Sequence, residues 1–300
     1  MPLSLSAPPV PADWSAHTPV TDPGRFSALL DAIPPDPASI GVAARNVIAH
    51  YRAEAAHLPE SSRDDINLRW LSEQLATDQA RHGCTLDVDR PLAQRLQGCC
   101  RDHSLFGVGV LRQHGIPARS RVGFAGYFMP NWHPDHVIVE YWDVDRWRRF
   151  DPEVDPAWHL LPDPLDMEAG ANAPFQTAAE VYTLMRAGDL DPATYGVAPD
   201  SPFAGERFVV GEVFYELAHR YGDETLLWDS WGAMDDPGRD GLTEMVVGIA
   251  GLLIAADGGD TAAESALYQR YLVDDGLHPG ASVTQFSPYG EPPLTVALRP

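Results

Sequence analysis

Lysine is absent from this chain of 300 residues, so all 21 basic residues are arginines. The acidic residues number 43, and the formal net charge is −22. Nucleic acids and anionic membrane surfaces bind proteins through clustered positive charge. The charge balance therefore argues against a nucleic-acid partner and against a membrane partner.

Long apolar segments are missing as well. A membrane-spanning helix needs about 18 or more consecutive apolar residues. The most apolar stretch, MVVGIAGLLIAA at 245–256, is shorter and predicts a buried helix. The opening residues, MPLSLSAPPVPADW, lack the basic and the apolar region of a secretory signal. We expect a cytoplasmic protein.

Cysteine is scarce, with only Cys84, Cys99 and Cys100 present. An odd number without framework spacing predicts no disulfides. Adjacent cysteines cannot easily ligate one tetrahedral zinc ion, and the chain contains no Cys-x-x-Cys pair. We therefore expect neither a metal site nor a cofactor.

The pattern of apolar residues divides the chain into three parts. Residues 1–24 are rich in proline, serine and alanine and predict a flexible arm. A helical lead-in and a core are expected over 25–160, followed by a mostly helical extension over 161–300 that packs on the core. Helical periodicity marks 40–56, 66–83, 101–113, 207–221, 242–256 and 263–273.

The region 98–155 carries the strongest local signals. Strand composition follows the helix at 101–113, and the segments 135–143 and 146–151 predict a β-hairpin around an acidic turn. With Val144 and Asp145 as its loop, this hairpin places Asp151 opposite Ile138. His136 then lies on the same face as Ile138 and diagonally across from Asp151, within reach of its side chain.

These positions suit cysteine chemistry. A cysteine at a helix N-terminus feels the positive end of the helix dipole, which favours the thiolate over the thiol. A histidine can take the thiol proton, and a carboxylate behind the histidine orients it. Cys100, His136 and Asp151 can supply these three roles.

Three segments together resemble the core of the transglutaminase-like superfamily, namely GCCRDHSLFGVGVLRQHGIPARSRVGF, DHVIVEYWD and RWRRFDPEVD. The matched motif positions are Gly98, Cys100 and Asp102, then His136 and Glu140, then Trp147, Asp151 and Pro152. The resemblance implies an α+β, papain-like fold in which the nucleophile helix packs on an antiparallel β-sheet, with additional flanking helices. It also implies that Cys100 is the nucleophile and that Cys99 occupies the variable position before it. We expect Cys99 to be structural.

An acyl-transfer site also needs donors for the oxyanion. The backbone N–H of Cys100 is one candidate. The side chain of Gln94 is another, although a solvated glutamine is the plainer interpretation, and Trp70 or Trp132 could serve instead. Asp102 is expected to cap the helix, and Arg101 to lie at the surface.

Aromatic residues suggest where a substrate could bind. The substrate-binding candidates are Trp132, Trp228, Asp229 and Trp231, with core packing as the alternative interpretation.

The residues predict a cysteine enzyme that transfers an acyl group from an amide or thioester, either to water or to an amine. The substrate would be a peptide, a protein or a small acyl compound. One alternative is an amide synthase or cyclase whose acyl chain is bound to a carrier protein. Another is an inactive module that binds a peptide. The resemblance does not extend to the calcium site of animal transglutaminases.

Overall fold

The computed structural model describes residues 11–170 and 172–298, so residues 1–10 of the predicted arm lie outside the described residues. The α-helices are α1 (Ser27–Asp31), α2 (Pro37–Val47), α3 (Leu71–Arg81), α4 (Cys100–Gln113), α5 (Ala178–Ala187), α6 (Glu206–Arg220), α7 (Leu242–Asp257) and α8 (Thr261–Val273). Short 3-10 helices cover Pro11–Ser15, Gly24–Phe26, Ala55–His57, Glu60–Asn67, Leu92–Gln94, Pro156–Trp158, Pro192–Thr194 and Gly232–Asp235.

The strands are β1 (Ile48–His50), β2 (Leu96–Gly98), β3 (Ala118–Ala125), β4 (Asp135–Asp143), β5 (Arg146–Phe150), β6 (Phe175–Thr177), β7 (Asp229–Ser230), β8 (Ser282–Gln285) and β9 (Leu294–Ala297). Strands β1 and β2 pair in parallel. A four-stranded sheet has the order β5-β4-β3-β6, and a three-stranded sheet has the order β7-β8-β9. Helices and largely antiparallel strands confirm the predicted α+β class.

The described residues form two compact units. The N-terminal unit contains 11–120 and 137–167, and the C-terminal unit contains 121–136 and 168–298. The grouping of 121–136 with the C-terminal segments was not predicted from the sequence.

Helix α4 lies at the centre of the N-terminal unit and packs on β4. A Cβ atom added at Gly107 would lie 3.0 Å from Val139 and 3.3 Å from Ile40, so the helix backbone approaches both closely. The Ser104 hydroxyl donates a hydrogen bond of 2.8 Å to the carbonyl of Val137. Within this unit, therefore, the helix that begins at Cys100 packs on the sheet, as predicted.

Part of the segment predicted as a flexible arm is packed in this unit. The Trp14 side chain is 2% exposed, and its ring meets the Trp147 ring edge to face at a centroid distance of 5.5 Å. The Arg119 guanidinium lies 5.0 Å from the Trp14 ring and 4.1 Å from the Trp147 ring. Because the Trp14 indole is buried against the Trp147 ring and the Arg119 guanidinium, the chain at Trp14 is packed and is not part of a flexible arm.

The helix predicted over 40–56 ends at Val47, because the next residues form a strand. Strand β1 pairs with β2 in the register Ile48 to Leu96 and His50 to Gly98. Hydrogen bonds to a segment far along the chain replace those of the expected helix. This pairing places β2 immediately before α4.

Two buried arginines connect the elements of the C-terminal unit through ion pairs. Arg121 of β3 pairs with Glu216 of α6 at 2.7 Å and contacts Asp257 of α7. Arg220 of α6 contacts Asp257 at 2.7 Å and also pairs with Glu264 of α8. Charges this deeply buried are tolerated in proteins when they are paired and hydrogen-bonded.

Candidate active site

Cys100 is the first residue of α4, and its side chain is buried at 4% exposure. The residue before it, Cys99, is the extended N-cap of the helix. The Asp102 carboxylate accepts the backbone N–H of Cys99 at 2.8 Å, which fixes the first turn. The Cys100 thiol therefore lies at the positive end of the helix dipole, where the thiolate is favoured.

The Asp102 carboxylate acts as a cap, as predicted from the sequence. Besides the Cys99 N–H, it accepts hydrogen bonds from Gln74 at 2.9 Å and from Arg101 at 3.0 Å. The prediction that Arg101 lies at the surface was wrong, because its side chain is 1% exposed. Its guanidinium also donates to the carbonyl of Arg69 at 2.7 Å, so these contacts hold it inside.

Steric crowding around residue 98 explains why a glycine precedes the cysteine pair. A Cβ atom at this position would lie 2.8 Å from the Ile48 side chain and 2.9 Å from the Asp102 carboxylate. Such distances are too short for non-bonded atoms, so a larger residue would displace the cap. The requirement for glycine at the start of the motif therefore has a local steric cause.

All three cysteines are free thiols. Cys99 is buried like Cys100, whereas Cys84 is partly exposed. The Cys99 carbonyl contacts the His103 ring nitrogen Nδ1 at 3.0 Å. These contacts are compatible with the structural role expected for Cys99.

Asp151 directly follows β5 and is fully buried. Its backbone N–H donates to the Pro164 carbonyl at 2.9 Å, and its carboxylate accepts the N–H of Glu153 at 2.9 Å. Nearby, Arg45 donates to the Pro152 carbonyl at 3.1 Å. The carboxylate is thus held at the end of the hairpin by backbone contacts.

The predicted hairpin register is confirmed, since Asp143 pairs with Arg146 and Val139 pairs with Phe150. Asp151 is the next residue after this ladder, as the prediction required. The approach of His136 to Asp151 remains a prediction.

His136 is the second residue of β4 and is 4% exposed. Two aromatic rings lie edge-on to its imidazole, with centroid distances of 5.0 Å for Phe128 and 6.1 Å for Tyr127. This aromatic pair was not predicted from the sequence. Its only sequence signal is the Tyr-Phe dipeptide at the end of the segment predicted as a strand.

The other candidate side chains have the following surroundings. Gln94 is exposed and lies in the short 3-10 helix before β2, a position that lends no support to an oxyanion role. The Trp132 indole is buried and donates to the Gly196 carbonyl at 3.2 Å. Trp70 is partly exposed and forms the N-cap of α3.

The aromatic and acidic cluster lies inside the C-terminal unit. The Asp229 carboxylate accepts the N–H of Leu226 at 2.9 Å, and the Trp231 indole donates to the Leu277 carbonyl at 3.2 Å. Trp228 is partly buried. The polar contacts of Asp229 and Trp231 favour core packing over substrate binding.

Within the described ranges, no group of three or more His, Cys, Asp and Glu side chains is arranged to hold a metal ion. None of the helices in the part of the chain that the structure describes has the length and apolar character to cross a membrane.

The region around Cys100 is similar to a known protein family. The family model of the transglutaminase-like superfamily matches residues 59–152, a segment that contains Cys100, His136 and Asp151. No curated protein matches the chain. A crystal structure of a "putative cysteine protease" from Cytophaga hutchinsonii is similar over 50% of this chain and 42% of that chain, with 17% sequence identity and a TM-score of 0.31.

Proposed function

We propose that this protein, through the transglutaminase-like segment at 59–152, is a cysteine-dependent acyl-transfer enzyme. The observation that carries the proposal is the position of Cys100, a buried thiol at the first residue of a helix whose start is fixed by Asp102. Dipole stabilisation of a thiolate at such a position makes it a nucleophile.

In the proposed reaction the Cys100 sulfur attacks the carbonyl carbon of an amide or thioester and forms a carbon–sulfur bond. His136 accepts the thiol proton and then delivers it to the leaving amine or thiol as the carbonyl–heteroatom bond breaks. Asp151 orients the imidazole. Water or an amine then attacks the acyl-enzyme and releases the Cys100 thiol.

The backbone N–H of Cys100 is the proposed oxyanion donor, because it belongs to the attacking residue and lies at the first position of α4, on the positive end of the helix dipole. Gln94 remains a weaker candidate. No observation favours the carrier-bound synthase or the peptide-binding module over this reaction.

The first experiment is brief exposure to limiting iodoacetamide at pH 6, followed by mapping of the alkylated peptide by mass spectrometry. An ordinary thiol with a pKa of about 8.5 is roughly 0.3% thiolate at this pH. We expect selective labelling of Cys100 and at least tenfold slower labelling in His136→Ala. Exposed His57→Ala is the matched control and should label like the unmodified protein.

Two results would count against the proposal. Labelling of Cys99 or Cys84 in place of Cys100 would show that Cys100 is not the nucleophile. Failure of Cys100 to react, in protein that melts normally, would exclude the thiolate and favour the peptide-binding module. If Cys100 reacts, the products formed from acyl donors with and without added amine distinguish a hydrolase from an acyltransferase.

A further inference from the structure

The segment between β3 and β4 presents a pair of aromatic side chains beside His136. The Tyr127 and Phe128 rings contact each other at a centroid distance of 4.7 Å. Both lie edge-on to the imidazole, with interplanar angles of 88° and 69°. Both side chains are half-buried, so each retains surface that a ligand can contact.

This segment is held in place by other parts of the C-terminal unit. The N–H of His133 donates to the Thr194 carbonyl at 2.9 Å, and the N–H of Gly196 donates to the His133 carbonyl at 3.2 Å. The His133 ring stacks on the Tyr195 ring at a centroid distance of 4.3 Å and an angle of 6°. These contacts, together with the hydrogen bond from Trp132 to the Gly196 carbonyl, hold the segment in one conformation.

The chemical character of this surface is apolar. Residues 126–134, GYFMPNWHP, contain no acidic residue and no arginine. Burial lowers the pKa of His133, which disfavours the charged form of its imidazole. The neighbouring Met129 side chain is 39% exposed. An exposed apolar surface beside a reactive group is a common feature of ligand sites.

We propose that Tyr127 and Phe128 bind an apolar, preferably aromatic, group on the leaving-group side of the substrate. The inference rests on the proposed function. A leaving group that receives its proton from His136 must come within hydrogen-bond distance of that imidazole. Its substituent then lies beside two rings whose centroids are 5.0 Å and 6.1 Å from the imidazole, where aromatic contacts are favourable.

The test measures how well simple amides protect Cys100 from iodoacetamide at pH 6. N-benzylacetamide carries an aromatic group on the nitrogen, N-methylacetamide lacks one, and N-(4-aminobutyl)acetamide carries a cation. We expect N-benzylacetamide to protect at about tenfold lower concentration than either of the others, a ratio equivalent to about 1.4 kcal/mol. Phe128→Ala should reduce this ratio to about one, and Tyr127→Ala should reduce it in part.

Controls separate binding from folding. Phe128→Leu keeps an apolar side chain and should retain part of the preference for N-benzylacetamide. Phe286→Ala removes a phenylalanine that is 46% exposed elsewhere in the same unit, and it should retain the whole preference. Equal protection by the three amides, or a preference unaffected by Phe128→Ala, would overturn the inference and leave the proposed function intact. Failure of iodoacetamide to label Cys100 would instead remove the proposed function and this inference with it.

Discussion

Glu212 and Glu216 lie one turn apart on α6 and are equally buried, at 1% exposure. Glu216 pairs with Arg121 and accepts the N–H of Ala179 at 2.7 Å. Burial, partly offset by Arg121, raises the pKa of Glu216 to about 7. The Glu212 oxygen Oε2 has no hydrogen-bond partner among the described residues. Burial and the negative charge of Asp135 raise the pKa of Glu212 well above its ordinary value.

This contrast predicts effects of different size for the same substitution at the two positions. Above the ordinary pKa of 4.5, the folded protein keeps a proton on Glu212 that the unfolded chain releases. As the pH rises from 4.5 towards the raised pKa of Glu212, the free energy of unfolding therefore falls by about 1.4 kcal/mol per pH unit. We expect Glu212→Gln to stabilise the protein at pH 8 and to have little effect at pH 4, as measured by urea denaturation.

Glu216→Gln is the matched comparison, because the pair with Arg121 limits the rise in the pKa of Glu216 to about 7. Its ionised form therefore costs less stability at pH 8, and Glu216→Gln should stabilise the protein by less than Glu212→Gln does. Destabilisation by Glu212→Gln at pH 8 would show that Glu212 is ionised and paired.

Val144, in the β4–β5 turn, has a φ of 59° and is 89% exposed. The left-handed region costs L-residues about 1–2 kcal/mol, and asparagine adopts it more readily than β-branched residues do. Val144→Asn should therefore raise the free energy of unfolding by about 1 kcal/mol in urea denaturation. Val88→Asn, at a site that is 46% exposed and without positive φ, should give no gain. A loss of stability in Val144→Asn would mean that the valine makes a contact that offsets this cost.

At the scale of elements, the start of α4 depends on the strand before it. Strand β2 ends at Gly98, and the steric limits there come from Ile48 of β1 and from the Asp102 cap. The pairing of β1 with β2 thus helps to set the position of the Cys100 thiol.

Gly98→Ala should therefore impair both stability and reactivity. The added Cβ would push Asp102 away from the Cys99 N–H, and we expect a loss of about 1–3 kcal/mol in the free energy of unfolding. Iodoacetamide labelling of Cys100 at pH 6 should slow several-fold.

Gly211→Ala is the comparison, since a Cβ on this α6 residue meets no atom within 4 Å and alanine favours helix by about 1 kcal/mol. It should be neutral or stabilising, with unchanged labelling. A Gly98→Ala protein that labels and unfolds like the original would refute the steric explanation.

For the molecule as a whole, the buried arginines are matched by buried carboxylates, so the excess of acidic residues remains outside the core. Buried arginines with carboxylate partners include Arg90, Arg101, Arg119, Arg121, Arg149 and Arg220. With a formal net charge of −22, repulsion among exposed carboxylates destabilises the folded chain. Salt screens exposed charges much more than buried pairs.

We therefore expect the thermal unfolding midpoint at pH 7.5 to rise by a few degrees between 0.01 M and 0.3 M sodium chloride. The same change in salt at pH 4.5 should have a smaller effect, because many exposed carboxylates are then protonated. A midpoint that falls with salt at pH 7.5 would show that exposed ion pairs outweigh repulsion.

Local signals in the sequence were sufficient for several features of the N-terminal unit. The segments 135–143 and 146–151 and the acidic turn between them predicted the hairpin and its register, which the pairing of Asp143 with Arg146 confirmed. Helical periodicity over 101–113 predicted the end of α4 at its observed last residue, Gln113. Such signals depend on residues a few positions apart, so the chain itself contains them.

Other features were decided only by the tertiary structure. The change from helix to strand at Ile48 needs a partner at Leu96, and the burial of Arg101 needs acceptors supplied by Asp102 and Arg69. The isolation of the Glu212 oxygen is likewise a property of what surrounds α6. The sequence by itself determined the candidate nucleophile, the motif order and the hairpin, whereas folding decided which polar groups find partners, because those partners come from distant parts of the chain.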